Sequence, residues 1–95
     1  MSRSNATLYL LQGTYSAGLT HIQQLATMLD TEDYVVLMGD MVLFHDHPTV
    51  QAHAHCYALQ TDLENLALVS HKLKCLDYAD FASLCLEFTR CVSLK

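Results

Sequence analysis

Tryptophan is absent from this chain, and proline occurs once and glycine three times in 95 residues. So few chain-breaking residues, with 52% apolar content, exclude a disordered or low-complexity polypeptide. Positive charge is equally sparse. Five Lys or Arg stand against ten Asp or Glu, for a formal charge of −5. Arg3, Lys72, Lys74, Arg90 and Lys95 form no dense cluster beyond the pair at 72 and 74, so the chain gains little from neutralising phosphates. Direct nucleic-acid binding is not expected. No apolar run approaches the roughly 20 residues that span a bilayer. The polar start, Met1 to Ala6, does not read as a secretory signal, so a cytoplasmic protein with no membrane contact is expected. The length suits one domain, residues 1–95, and not two independent cores.

Charged residues are only 16%, below the roughly 25% usual in soluble domains, which fits a chain that hides part of its surface against a partner. The four cysteines, at 56, 75, 85 and 91, contain no CxxC pair. Neither a zinc knuckle nor a thioredoxin-like redox motif is therefore present, and reduced thiols are expected.

Hydrophobic patterning places the elements. Leu8 to Gln12 is a short apolar run without a polar side, which reads as a strand covered on both faces. Leu19, Ile22, Ala26 and Leu29 recur at spacings of three and four and predict a helix over Ala17 to Leu29, with Ser16 as its N-cap. Tyr34 to Met38, rich in β-branched and aromatic residues, predicts a second buried strand and hence a parallel, right-handed crossover. Gly39 to Thr49 reads as a helical turn and a loop, and His53 to Leu59 as a third strand.

Thr61-Asp-Leu-Glu64 has the form of a capping box, opening a helix with Leu63, Leu66 and Ala67 inward that ends near Ser70 or His71. Leu73 to Leu76 predicts a fourth strand. Asp77 and Asp80 suit a helix start, with Phe81, Leu84, Cys85 and Phe88 on the inward face of that last helix. The expected fold is a small three-layer α/β unit, a mostly parallel sheet of about four strands with helices on both faces.

Few residues carry recognisable chemistry. His45, His47, His53 and His55, with Asp46 and Cys56, include every ligand type a zinc or nickel site uses. On an extended strand, however, His53 and His55 share a face and Cys56 points away, so the pattern favours exposed or interfacial imidazoles. Cys56, Cys75 and Cys85 read as buried structural thiols, and Cys91, in the tail beside Arg90, as the exposed one. The turn Gly13-Thr-Tyr-Ser-Ala-Gly18 matches neither a dinucleotide fingerprint nor a P-loop and lacks the lysine. Glu64, Asp77 and Asp80 are accounted for by helix starts. No catalytic, metal or cofactor-binding residue is assigned.

Two carboxy-terminal segments carry a likeness. Tyr57-Ala-Leu-Gln-Thr-Asp-Leu63, then Leu76-Asp-Tyr-Ala-Asp-Phe-Ala-Ser-Leu84, resemble the TusB/DsrH family of sulfur-relay subunits, with looser agreement at Asp33-Tyr-Val-Val-Leu-Met-Gly-Asp40. The likeness spans about residues 7 to 84. It implies a subunit of a TusBCD or DsrEFH type complex, built on a parallel sheet with helices on both faces. It also implies TusC-like and TusD-like sister subunits. TusA-like and TusE-like carriers would then bring and remove sulfur destined for 2-thiouridine at the tRNA wobble position.

The chain departs from the family pattern in two places. The first helix lacks the cysteine of DsrH-like members, with Leu25 near its place, which implies the TusB role over a sulfur-bearing one. The usual tryptophan near the end is missing, with Cys91-Val-Ser-Leu-Lys95 there instead. A subunit of this kind needs an apolar contact face. The candidates are Met41, Leu43, Phe44 and Tyr57, with Tyr78 and Phe81 beside them. The competing expectations are a DsrH-like sulfur-oxidation subunit, or a small metal protein or enzyme using the His45–Cys56 region.

Overall fold

The computed structural model describes residues 3–66 and 73–95. Five strands form one sheet: β1 (Arg3–Leu11), β2 (Tyr34–Leu37), β3 (Cys56–Leu59), β4 (Lys74–Leu76) and β5 (Phe88–Leu94). Their order is β4-β3-β2-β1-β5, and every neighbouring pair is parallel. Helices α1 (Tyr15–Met28), α2 (Pro48–Ala52), α3 (Gln60–Asn65) and α4 (Tyr78–Leu86), with a 3-10 helix at Gly39–Phe44, make the connections. The mostly parallel three-layer α/β fold read from the sequence is therefore present, with one strand more than expected.

Pleating divides the core in two. Tyr9, Leu11, Val35, Leu37, Cys56 and Ala58 point to one face, where Ile22 and Leu25 of α1, Met41 and Val42, and Val50 of α2 cover them. Leu8, Tyr34, Val36, Leu59 and Leu76 point to the other, beneath Leu84 and Phe81 of α4. Leu8 and Leu11 have no exposed area, so β1 is buried on both sides as its unbroken apolar run implied.

Several local expectations change. Helix α1 starts two residues early, with Thr14 as N-cap in place of Ser16. Its buried positions are Gly18, His21, Ile22 and Leu25, while Leu19 and Ala26 are exposed. The reason is Gly18: a Cβ there would collide with the Phe44 ring and touch the Met41 sulfur, so the glycine is where the 3-10 helix comes closest. That contact rotates the inward face away from the simple leucine count.

Pro48 opens α2 inside the segment expected to be a loop, and His47 Nδ1 accepts from the Thr49 amide at 3.2 Å. Strand β3 therefore begins only at Cys56, leaving His53 and His55 before it. No capping box forms at Thr61. Strand β3 runs directly into α3 with Leu59 as N-cap, which puts Thr61 inside the helix, and Glu64 Oε1 instead accepts from Gln60 Nε2 at 3.1 Å. The expected continuation through Ala67 to Ser70 or His71 lies outside the described residues.

The last helix does start where the acidic pair placed it, with Asp77 Oδ1 accepting from the Asp80 amide at 2.7 Å. It ends at Leu86, and Phe88, expected on that helix, is the first residue of β5.

Asp33 ties the amino end of the sheet together. Its carboxylate is buried and accepts from the Thr7 amide at 2.9 Å and the Asp30 amide at 2.9 Å. The β1–β2 ladder begins at the next pair, Leu8 with Tyr34. Asp33→Ala would leave the buried Thr7 amide without an acceptor, and a loss of about 1–3 kcal/mol in urea unfolding is expected.

Candidate functional site

The six sequence-selected contact residues fall on opposite sides of the sheet. Met41, Leu43 and Phe44 lie in the 3-10 helix against α1, whereas Tyr57 and Phe81 pack with the α4 core. Met41 has no exposed area and serves the core. Phe44 is half-buried over Gly18, and its outer face stacks on Tyr15 with ring centres 4.9 Å apart and planes 18° from parallel. Leu43 is exposed beside it.

Tyr15 and Leu19 extend this patch, with 57% and 48% of their surface open to solvent. They sit four apart on α1 and so share one side of the helix. Leucine periodicity had placed Leu19 inward; the aromatic four residues before it was the signal for an outward apolar stripe. The patch is carried by α1 and the 3-10 helix, two neighbouring elements packed against each other.

On the other side, Tyr57 is half-buried and stacks on Tyr34 at 5.5 Å, with Lys74 Nζ 5.5 Å from its ring centre. Tyr78 is well exposed at the rim of a cleft of about 190 Å³ between the carboxyl ends of β3 and β4. Gln60, Glu64 and Asp77 also line it. The carboxylates of Glu64 and Asp77 accept from Gln60 Nε2 and from the Asp80 amide of α4.

The histidine-rich segment is similarly committed. His53 Nε2 donates to the Asp33 carbonyl at 2.6 Å, and the His55 ring stacks on Tyr34 at 4.4 Å with its Nδ1 buried and unpartnered. His45, His53 and Cys56 line a cavity of about 140 Å³, but the Cys56 thiol donates to the Val50 carbonyl at 3.5 Å. Among the described residues no group of three or more His, Cys, Asp or Glu is placed to hold a metal ion.

The thiols divide by burial. Cys56 sits in the core, where burial pushes its thiol from 9.0 up to about 11. Cys85 is half-buried and is also raised, first by burial and then by neighbouring Cys91. Cys75, expected to be buried, is exposed, because edge strand β4 sends only Leu76 into the core. Cys91 is exposed as expected, though on a strand and not in a tail.

The arrangement defines a class: a parallel α/β domain with a stacked aromatic pair at its surface and several of its carboxylates capping backbone amides. Residues 16–91 match the family model described as DsrH like protein. The chain belongs to the DsrH family, and this supports a sulfur-relay role in general. No curated protein matches the chain, and no solved structure does. No helix among the described residues is long and apolar enough to cross a membrane.

Burial sets the expected thiol chemistry. At neutral pH, Cys75 and Cys91 should react fast with a thiol probe and Cys56 slowest, as read by mass spectrometry of single-cysteine variants. The folded Cys56 pKa lies above its unfolded value, so the stabilisation is complete below about pH 9. It should fall away as pH rises toward about 11. Urea midpoints for the parent chain and Cys56→Ala across that range would show the difference.

Proposed function

We propose that this chain is a non-catalytic subunit of a cytoplasmic sulfur-relay complex that supports 2-thiolation of the tRNA wobble uridine, the TusB role within a TusBCD-like assembly. The observation that carries this reading is Leu25. It stands near the first-helix place where the DsrH-like pattern holds a cysteine, and it is 1% exposed in the core. A leucine cannot carry a persulfide. The reactive sulfur then belongs to a TusD-like sister chain, with a TusC-like chain completing the assembly and TusA-like and TusE-like carriers delivering and receiving sulfur through it. This chain contributes shape and contact surface.

The Tyr15–Phe44 patch, with Leu19 and Leu43, is the surface offered to a sister subunit. Tyr57, Tyr78 and Phe81 form a second contact region across the sheet. The family's DsrH description favours one other assignment, a subunit of a DsrEFH-like sulfur-oxidation complex. The cavity holding His45, His53 and Cys56 favours the other alternative, a small metal-binding protein or enzyme.

Deleting the gene separates these readings. Loss of 2-thiouridine from digested tRNA supports the relay to tRNA, whereas intact 2-thiouridine with lost sulfur oxidation assigns the DsrH-like role. Stoichiometric zinc or nickel in the untagged purified protein would favour the metal reading. Phe44→Asp should weaken co-purification with TusC-like and TusD-like chains at least tenfold, with the far-ultraviolet dichroism unchanged. Leu43→Asp, which disturbs less of the core, should act in the same direction.

A further inference from the structure

We infer that the outer edge of β5 pairs antiparallel with the same edge of a second copy of this chain, about a two-fold axis through Cys91. This goes beyond the relay reading and does not depend on it.

The two edges of the sheet differ. Strand β4 is three residues long and carries Lys74, a short charged edge of the kind that resists further pairing. Strand β5 is seven residues long, with Thr89 to Ser93 exposed throughout. Strands of parallel sheets are normally covered on both faces, and β5 is not. It contains no proline or lysine, and its register with β1 is regular from Thr7 and Arg90 to Leu11 and Leu94.

Its backbone direction follows from one bond. The Gln12 amide donates to the Leu94 carbonyl at 2.8 Å, so Leu94 turns its amide and carbonyl toward β1. Alternation along the strand directs Val92 and Arg90 the same way, and Thr89, Cys91 and Ser93 outward. The free edge therefore presents the amides and carbonyls of those three residues.

This edge complements itself. With Cys91 opposite Cys91 of the second copy, Thr89 faces Ser93 and the two exchange both backbone bonds, as do the two cysteines. Arg90 faces Val92 at the intervening close positions, where side chains approach most nearly. No like charges meet directly. The aliphatic stem of Arg90 covers Val92, which is 36% exposed in the single chain. Self-matching of this kind is what an isologous two-fold contact requires.

Light scattering on the full chain should give twice its 10.7 kDa mass. In a Cys75→Ser background, a short bismaleimide should join two chains through Cys91, whose α-carbons would stand about 5.5 Å apart. Ser93→Pro removes an outward amide and no bond to β1, so it should yield a monomer with unchanged dichroism. Thr89→Lys with Ser93→Lys sets like charges opposite one another and should also yield a monomer. Thr89→Glu with Ser93→Lys sets opposite charges there and should keep the dimer. A monomeric mass for the parent chain overturns the inference. So does a dimer indifferent to both Ser93→Pro and the lysine pair, or a Cys91 edge that cross-links only to a co-expressed sister subunit.

Discussion

An all-parallel sheet cannot be closed by hairpins, and that constraint governs this molecule. Each strand must be followed by a crossover that returns the chain to its starting end, and the crossovers become the layers over the sheet. In 95 residues the crossovers are short, and most of their apolar side chains are needed to cover β1, β2 and β3. Strand β1, between β2 and β5, has both faces covered and both edges hydrogen-bonded. Cover thins toward the outside of the sheet, where Cys75 and the middle of β5 emerge.

The same economy governs the polar residues. Asp33 holds the Thr7 and Asp30 amides beside the first β1–β2 pair, Asp77 caps α4, Asp62 accepts from the Gly39 amide at 3.0 Å, and His53 donates to a carbonyl. Groups that could serve acid–base chemistry elsewhere are here occupied with backbone partners. The most buried thiol is held neutral by its surroundings. Of the large apolar side chains that face solvent, Tyr15, Leu19 and Leu43 gather where α1 meets the 3-10 helix, and Tyr78 and Leu86 lie on α4.

Much of the architecture was legible because one-sided and two-sided burial leave different marks. Leu8 to Gln12 and Tyr34 to Met38 are unbroken apolar runs, and both became covered strands. Asp77 and Asp80 marked a helix start by their spacing alone. Other features depended on contacts remote in sequence. The inward face of α1 is set by Phe44, twenty-six residues beyond Gly18, and no helical count contains that contact. The Thr61–Glu64 signal failed because β3 runs straight into α3, so the cap position falls on Leu59, whose side chain accepts no hydrogen bond, and Thr61 lies inside the helix. Strand β5 was hidden because Phe81, Leu84, Cys85 and Phe88 keep helical spacing across the turn at Glu87, which masks the change of period. The contact residues were readable as aromatic and apolar, but their distribution over two faces of the sheet was not.

The strand order also has a consequence for the chain as it is made. Strand β1 has one of its two neighbours, β5, about eighty residues further along the chain, so one side of β1 stays unmatched until β5 has been made. Contacts this distant along the chain form late and slow folding. Until they form, an apolar strand with a bare flank is available to the wrong neighbour. A nascent chain of this design benefits from chaperone shielding until β5 is free, and truncation within β5 would leave β1 without one of its two neighbours.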